Sequence, residues 1–244
     1  MPELEKGRYR CRIAETPEEL RRAQRLRQRC FRPGAPGHDA DAFDARCRHF
    51  LVEETGGGQL VCCFRILPLR DGRAAGQSYS AQFYDLSALA GLRAPLVEMG
   101  RFCVDPDRRD PDILRIAWGA LTQYIDARQA EMLIGCSSFR GTDARVHADA
   151  FALLGARHQA PRRWRPRIKA PRVVQFGIDG LCSADPARAM RCMPPLLRTY
   201  LLMGGWVSDH AVIDDALGTL HVFTGLEIAA IPPARQRLLR AVAS

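Results

Sequence analysis

The sequence of 244 residues contains no apolar run close to the roughly 18 residues that a membrane-spanning helix needs. Its first residues, Met1 to Arg12, lack the apolar core of a secretory signal peptide. The composition also differs from that of disordered or collagen-like chains, since 47% of the residues are apolar and 26% are charged. We therefore expect a folded, cytoplasmic protein that buries a substantial apolar core.

Repeated Cys-x-x-Cys pairs are also absent, although the chain has nine cysteines. An odd number of scattered cysteines in a cytoplasmic chain predicts reduced thiols that pack as small apolar side chains. Cys47 and His49 could share a metal ion only with distant partners, so we expect no metal site. The cysteines are Cys11, Cys30, Cys47, Cys62, Cys63, Cys103, Cys136, Cys182 and Cys192.

Lysine is scarce, because Lys6 and Lys169 are the only two among 36 cationic residues. Against 27 acidic residues the formal net charge is 36 − 27 = +9. This excess is compatible with three kinds of partner, namely nucleic acid, an anionic membrane surface, or an acidic protein or substrate. The charge alone does not choose among them.

The first half of the chain predicts a helix, a long loop and several strands. Pro17 to Phe31 is an amphipathic helix capped by Thr16, and the Gly/Pro/Asp-rich stretch 32–44 is a loop. Stretches 50–53 and 60–67 form a hairpin across Gly-rich residues. Residues 96–104 form another strand, in which Gly100 predicts a bulge or a close approach by another backbone.

The second half continues the alternation. We expect a helix from about 111 to 130, a short buried strand at 132–136, and a helix at 144–154 that ends at Gly155. The basic stretch 162–172 should be exposed and irregular, and a helix at 196–203 and a strand at 221–228 follow it. Without repeats or linkers, residues 1–244 form one domain with an extended C-terminal part from about 160. Its fold class is α/β or α+β, with one mixed sheet flanked by helices.

Four short motifs in this framework carry a family resemblance. They are Leu26-Arg27-Gln28-Arg29-Cys30-Phe31, Asp41-Ala42-Phe43-Asp44, Phe64-Arg65-Ile66-Leu67-Pro68 and Glu98-Met99-Gly100-Arg101-Phe102. In this order, within the element order of a GNAT-type acyltransferase, they resemble signatures shared by acyl-homoserine-lactone synthases and bacterial ornithine-lipid N-acyltransferases. The tail stretches 194–201 and 205–207 resemble the second family and not the first.

The resemblance implies an N-acyltransferase that moves a fatty acyl group, 3-hydroxylated in that family, from acyl carrier protein to the α-amine of an amino acid. Ornithine or glutamine is the favoured acceptor, and a lyso-aminolipid is the product. The acyl-phosphopantetheine arrives on the carrier protein, so no separate cofactor is implied. The attack needs a deprotonated amine, a donor for the developing oxyanion and an apolar slot for the chain.

The expected catalytic residues belong to the four motifs. Glu98 is the expected base or amine-positioning group, because a carboxylate inside an apolar strand is costly unless it is paired or used, and Arg101 is its catalytic neighbour. A buried Glu98–arginine ion pair that only organises the sheet is the alternative. The resemblance assigns further residues to acceptor or acyl binding, and for the charged ones ion pairs that fasten the loop are an equal alternative. They are Arg27, Phe31, Asp41, Asp44 and Arg65.

Backbone N–H groups of Phe102, Cys103 and Val104 are the expected oxyanion donors. Phe151 lies four residues before Gly155, where acetyltransferases often carry a tyrosine, and is assigned to the core or the wall of the acyl slot.

The stretch Arg108-Arg109-Asp110-Pro111 has no glycine-rich phosphate cradle, which disfavours coenzyme A. Arg108 and Arg109 are expected to contact the phosphopantetheine phosphate or the acidic carrier protein, or to be merely solvated. A second basic stretch fits the acidic carrier protein, an anionic lipid surface or nucleic-acid phosphates, and a solvated loop is the alternative. It comprises Arg162, Arg163, Trp164 and Arg165.

Two rival functions remain at this point. An acyl-homoserine-lactone synthase would also bind S-adenosylmethionine, but the N-terminal region lacks the tryptophan usual in that family and the tail differs. A non-catalytic basic module for membranes or nucleic acid on the same fold is the second. The motifs favour acyl carrier protein, an amino acid and an anionic inner membrane face as partners, without nucleic acid.

Overall fold

The computed structural model describes residues 3–177 and 185–243, so Cys182 lies outside the described residues. Strands and helices are interspersed along this part of the chain. Its strands are β1 (Leu4–Lys6), β2 (Tyr9–Ile13), β3 (Arg48–Glu54), β4 (Leu60–Leu69), β5 (Tyr84–Asp85), β6 (Leu96–Val104), β7 (Met132–Arg140), β8 (Arg167–Ile168), β9 (Val173–Gln175), β10 (Trp206–Asp214) and β11 (Thr219–Glu227). Its helices are α1 (Pro17–Phe31), α2 (Pro111–Arg128), α3 (Ala148–Arg157), α4 (Pro186–Cys192), α5 (Pro195–Leu202) and α6 (Pro233–Ala243).

The chain forms two compact units. Unit 1 comprises the described residues of 1–68, 99–130 and 233–244, and unit 2 those of 69–98 and 131–232. The boundary falls inside β6, between Glu98 and Met99. The one-domain organisation inferred from the sequence stays a prediction.

In unit 1 the strand order is β1-β2-β3-β4-β6, and successive strands from β1 to β4 are antiparallel. The predicted hairpin is confirmed, and its Gly58 adopts a φ of 65°, a conformation that glycine takes without steric cost. A small core beneath the sheet comprises Ala23, Leu26, Leu51, Cys63 and Cys103. Burial of these apolar groups holds α1 against β3 and β4.

Helix α1 has the predicted bounds, because its sequence carries strong local signals. The Thr16 side chain accepts from the Glu19 N–H, and the Glu19 carboxylate accepts from the Thr16 N–H, which makes a capping box. Helix α2 begins at Pro111 as predicted and ends two residues earlier than predicted. Gln129 ends it in the left-handed conformation, with a φ of 50°.

In unit 2 the strand order is β7-β11-β10-β9, all antiparallel. Strand β7 is longer than the predicted stretch, because it pairs with β11 along its whole length, from Met132 opposite Glu227 to Arg140 opposite Thr219. Strand β11 and helix α5 lie close to their predicted positions. With helices packed on sheets in both units, the predicted α/β fold class is confirmed.

The predicted end of α3 at Gly155 is wrong. A 3₁₀ turn (Ala144–His147) precedes the helix, which runs through Gly155 to Arg157. A Cβ atom at position 155 would lie 2.9 Å from the Cβ of Phe176. The glycine therefore permits close packing against Phe176 and does not stop the helix.

Replacing Gly155 with alanine should lower the free energy of unfolding by about 1 kcal/mol. The helix would gain about 1 kcal/mol in propensity, but overpacking costs about 1–3 kcal/mol. Phe176 cannot easily retreat, since its ring stacks on Phe151 with 5.2 Å between centroids. Urea denaturation measures the change, and Gly91→Ala, where a Cβ has nothing within 4 Å, is the control. Stability of Gly155→Ala at or above that of the wild type would contradict the packing role.

Candidate active site

Six charged side chains of unit 1 form a closed ring in which arginines and aspartates alternate. The nitrogen–oxygen distances between neighbours run from 2.6 to 3.1 Å. In order around this charge ring, the members are Arg27, Asp39, Arg101, Asp41, Arg65 and Asp44.

Three elements and one loop bring the ring together. Arg27 comes from α1, Arg65 from β4 and Arg101 from β6, while the acids lie on the loop that joins α1 to β3. Three positive and three negative charges cancel, so the ring is neutral as a whole. It fastens the long loop, as the ion-pair alternative predicts. The sequence-based site did not include Asp39, which bridges Arg27 and Arg101.

Burial and charge compete over the aspartates of the ring. Burial alone would raise the pKa of Asp44, but the bonds from Arg27, Gln24 and Arg65 outweigh it and lower the pKa to about 2. Burial opposes ionisation of Asp41 too, but Arg65 and Arg101 lower its pKa. Both groups are therefore carboxylates at neutral pH.

Solvent reaches the ring at one side. The side chains of Asp41 and Arg101 are 24% and 11% exposed, whereas those of Arg27 and Arg65 are 1% and 3% exposed. Any small polar substrate that meets the ring would therefore contact Asp41 and Arg101.

The backbone of β6 departs from strand geometry at Arg101, whose φ is 52°. This left-handed conformation costs an L-residue about 1–2 kcal/mol. The bonds from the Arg101 guanidinium to Asp39 (3.0 Å) and Asp41 (3.1 Å) hold it in place. The irregularity predicted at Gly100 thus occurs one residue later. The group nearest to a Cβ at Gly100 is the Arg65 side chain at 3.6 Å, not another backbone.

Glu98 is a buried carboxylate in unit 2 with defined donors. It is 4% exposed. Its Oε2 accepts from the Tyr79 N–H at 2.7 Å, and its Oε1 accepts from the N–H and hydroxyl of Ser80 at 2.8 and 2.6 Å. These donors belong to the segment that opens a 3₁₀ turn (Ser80–Gln82). Glu98 is thus oriented by this segment, and the sequence-based site did not include Ser80.

Ser80 extends the network to a thiol. Its oxygen lies 3.3 Å from the Cys136 Sγ. Because the single hydroxyl proton of Ser80 is given to Glu98, the Cys136 thiol is the donor in this contact. Tyr200 of α5 is 2% exposed, and burial, with the nearby Cys136 and Glu98, raises the pKa of its phenol. It is neutral at physiological pH.

The remaining predicted substrate residues of unit 1 lie in or beside its apolar core. Phe102 stacks on Phe64 with 5.5 Å between centroids. The Cys103 Sγ lies 3.5 Å from the Cys63 Sγ, and the Val104 carbonyl accepts from the Cys30 thiol at 3.4 Å. Phe31 packs against the same core. The cysteines described by the structure are free thiols.

Phe151 lies in the core of unit 2. It is 0% exposed and its ring meets Phe139 edge-on at 4.9 Å. It occupies an aromatic cluster, as expected for a core residue, and its assignment to the acyl slot stays a prediction.

The start of α2 is occupied by the protein's own carboxylate. Asp110 accepts from the Asp112 N–H and pairs with Arg8 at 2.7 Å. Arg108 donates to Gln59 at 2.7 Å, whereas Arg109 is exposed. This arrangement leaves few N–H donors for a pyrophosphate at the N-terminus of α2.

The basic stretch at 162–165 is more ordered than predicted. Arg162–Trp164 forms a 3₁₀ turn, and the short strand β8 (Arg167–Ile168) follows after two residues. Arg162 is exposed, Arg163 pairs with Glu227 at 2.8 Å, and Trp164 and Arg165 are half-buried. The prediction of an exposed irregular segment is therefore wrong for part of the stretch.

His49 is a structural histidine. Its Nε2 donates to the Asp44 carbonyl at 2.9 Å, and burial lowers the pKa of the imidazole, so the His49 side chain is neutral. Within the described ranges, no three His, Cys, Asp or Glu side chains cluster with metal-binding geometry. Among residues 3–177 and 185–243, no helix has the length and apolarity needed to cross a bilayer.

Comparisons with known proteins identify the family to which the chain is similar. The model of the acetyltransferase (GNAT) domain matches residues 25–119. An L-ornithine N(alpha)-acyltransferase of Rhodobacter capsulatus is 32% identical over 240 residues, covering 91% of this chain and 91% of the relative. One from Brucella abortus is 31% identical, covering 92% of this chain and 86% of the relative.

A solved structure is similar in fold to almost the whole chain. FeeM, an N-acyl amino acid synthase from uncultured soil microbes, aligns with a TM-score of 0.55 and 13% identity, covering 95% of this chain and 100% of FeeM. This likeness concerns the fold.

The GNAT match, together with the named N-acyltransferase relatives that cover most of the chain, shows that the protein is an N-acyltransferase. More narrowly, identity of 32% over 91% of both chains shows that the chain belongs to the family of L-ornithine Nα-acyltransferases. The resemblance found in the four motifs is thereby confirmed.

Proposed function

We propose that the protein transfers a fatty acyl group, 3-hydroxylated in the preferred donor, from acyl carrier protein to the α-amine of ornithine. The observation that carries this proposal is Glu98, a buried carboxylate oriented by three donors in a strand of apolar residues. Family membership supports the acceptor, because the relatives that cover most of the chain are named for ornithine.

The acceptor needs two kinds of contact, since an amino acid carries an ammonium and a carboxylate. Asp41 and Arg101 are the solvent-accessible members of the charge ring and offer one group of each sign. The ring is already neutral, so a zwitterion adds no net charge to it. This complementarity supports recognition of a free amino acid.

The amine must lose a proton before it attacks the thioester carbonyl. In the proposed reaction Glu98 receives that proton, directly or through water, as the new C–N bond forms and the C–S bond breaks. The thiolate is a good leaving group, since a free thiol has a pKa of about 8.5. A strong general acid is therefore dispensable, which agrees with Phe151 in place of a phenol.

Acyl carrier protein is the proposed donor in preference to coenzyme A. Asp110 caps α2, and Pro111 removes one N–H donor from the place where a pyrophosphate would bind. A carrier-bound phosphopantetheine has a single phosphate and needs no such cradle. No separate cofactor is part of the proposal.

The product is an amphiphile, so peripheral contact with the anionic inner face of the cytoplasmic membrane is also proposed. The net charge of +9 supports such contact.

The test offers the purified protein 3-hydroxyacyl carrier protein with a panel of amino acids and follows product by mass spectrometry. We expect N-acylornithine with the carrier-bound donor and much less with the coenzyme A thioester. S-adenosylmethionine joins the panel because it is the acceptor of the homoserine-lactone route. Acyl-homoserine lactone as the main product, or no acylation of any amine, would refute the proposal.

A further inference from the structure

Helix α6 presents a basic and partly apolar surface in unit 1. Its sequence, Pro-Ala-Arg-Gln-Arg-Leu-Leu-Arg-Ala-Val-Ala, contains no acid, and Arg235, Arg237 and Arg240 are exposed. Leu238, which stands among them, is 60% exposed. Helices that lie at a bilayer surface combine such arginines with apolar side chains.

The helix is firmly held by its inner side. Lys6 donates to the Ala241 carbonyl at 3.0 Å, and a Cβ at Gly119 of α2 would lie 2.8 Å from the Val242 side chain. The exposure of Leu238 is therefore a property of a docked helix and not of a detached one.

A cavity of about 1190 Å³ opens beside α6, whose Arg240 and Ala243 line it. Tyr124 of α2 lines the same cavity and is 3% exposed. Its hydroxyl has no hydrogen-bond partner in the part of the chain that the structure describes. A buried phenol normally has a partner, so an unpartnered phenol in a cavity wall points to a ligand.

Two arginines line the cavity together with this phenol. The Arg128 guanidinium carbon lies 5.3 Å from the centre of the Tyr124 ring, and Arg48 lines the same cavity. Among the described residues, neither arginine has an ion-pair partner. A cavity lined by a phenolic O–H without a partner and by two guanidinium groups without ion-pair partners is suited to a phosphate oxygen.

The other charged groups around the cavity mostly have partners within the protein. Arg12 pairs with Glu53 at 2.9 Å, and Arg240 lies 3.7 Å from Asp126. The remaining acids that line the cavity are Glu3, which pairs with Arg10, and the exposed Glu15. Arg48 and Arg128 thus outweigh Glu15, and the local field favours an anion.

We propose that α6 and this cavity form the docking surface for an anionic phospholipid bilayer, with a headgroup phosphate bound by Tyr124, Arg48 and Arg128 and with Leu238 entering the interface. This inference deepens the proposed function and rests on it for the choice of a membrane as partner. It places the contact on α6 and not on residues 162–165, where Arg163 is paired and Trp164 is half-buried. A bilayer suits an exposed leucine among arginines better than a nucleic acid does.

The test is co-sedimentation with phosphatidylcholine vesicles that contain or lack phosphatidylglycerol. The wild type should bind the anionic vesicles, and Leu238→Glu should weaken binding by roughly tenfold or more. Tyr124→Phe should weaken it several-fold without loss of stability, because the hydroxyl that it removes has no partner. Arg162→Glu is the charge control: it lowers the net charge by more than Leu238→Glu does, yet it should weaken binding less.

Three results would overturn the docking surface: no binding to anionic vesicles, undiminished binding of both test variants, or a loss confined to Arg162→Glu. A second arm adds inorganic phosphate without vesicles and follows thermal unfolding. Phosphate could raise the unfolding temperature of the wild type but not that of Tyr124→Phe, while the wild type fails to bind vesicles. This result would assign the cavity to a soluble anion and refute bilayer docking. Acyl transfer in detergent-free solution is measured separately, so failure of the proposed reaction is distinguishable from failure of docking.

Discussion

Replacing Glu98 with glutamine should lower kcat/KM of acyl transfer by about 100-fold or more, the usual contribution of a positioned general base. Glutamine keeps the size of the side chain but cannot take the proton of the attacking amine. Measurement of acyl-ornithine formation at saturating donor, as a function of ornithine concentration and pH, separates a loss of kcat from a rise in KM. A positioning role would raise KM for ornithine and leave kcat nearly unchanged.

The substitution of Glu98 by glutamine also disturbs a structural role of this side chain. Glu98 also anchors Tyr79 and Ser80, and an amide NH₂ cannot accept the N–H that one carboxylate oxygen now accepts. Loss of activity could then follow from a displaced segment and not from lost chemistry. Ser80→Ala is the matched control, because it removes the hydroxyl bond to Glu98 at 2.6 Å while the carboxylate remains.

The two variants should differ widely. Ser80→Ala is expected to lose about 1.5–3 kcal/mol of stability, as for other hydrogen bonds to charged groups, and to keep most of its activity. Equal losses of kcat/KM in both variants would show that Glu98 acts by anchoring the segment. Wild-type turnover of Glu98→Gln would remove Glu98 from the mechanism.

The sequence predicts elements whose signals are local. Helix α1 appears with its predicted bounds, because Thr16, Glu19 and Pro17 specify its start within one turn. The β3–β4 hairpin is equally local, since its glycines impose the turn. Gly155 shows the opposite case, because its role depends on Phe176, which lies 21 residues further along the chain.

The candidate site was predictable in composition but not in connectivity. The motifs identify five of the ring's members, yet Asp39 has no local feature that separates it from the other polar residues of its loop. Ser80 was missed for the same reason, as its role depends on a strand 18 residues away. Strand β2 is not among the elements predicted from the sequence. Its alternation Tyr9-Arg10-Cys11-Arg12-Ile13 is nevertheless typical of a half-buried strand.

Replacing Asp44 with asparagine should lower the free energy of unfolding by about 3 kcal/mol, the cost of removing one partner from a buried ion pair. Asp44 is 6% exposed and meets Arg27 at 2.8 Å and Arg65 at 2.6 Å. The substitution leaves three arginines facing two acids, so one positive charge in the buried ring loses its counter-charge. Urea denaturation at pH 7 measures the loss. Asp143→Asn, which breaks an exposed pair with Arg145, is the control and should change stability by less than about 1 kcal/mol.

The pH dependence provides an independent test of the same carboxylate. The pKa of Asp44 is about 2 in the folded protein, against 3.8 for the free group. A depressed pKa stabilises the fold fully above the unfolded value, and this contribution disappears as the pH falls from about 4 to about 2. This depression of the pKa corresponds to about 2 kcal/mol of stability. The wild type should therefore lose more stability than Asp44→Asn over this interval, and parallel curves for the two proteins would show that the ring does not hold Asp44 in its charged form.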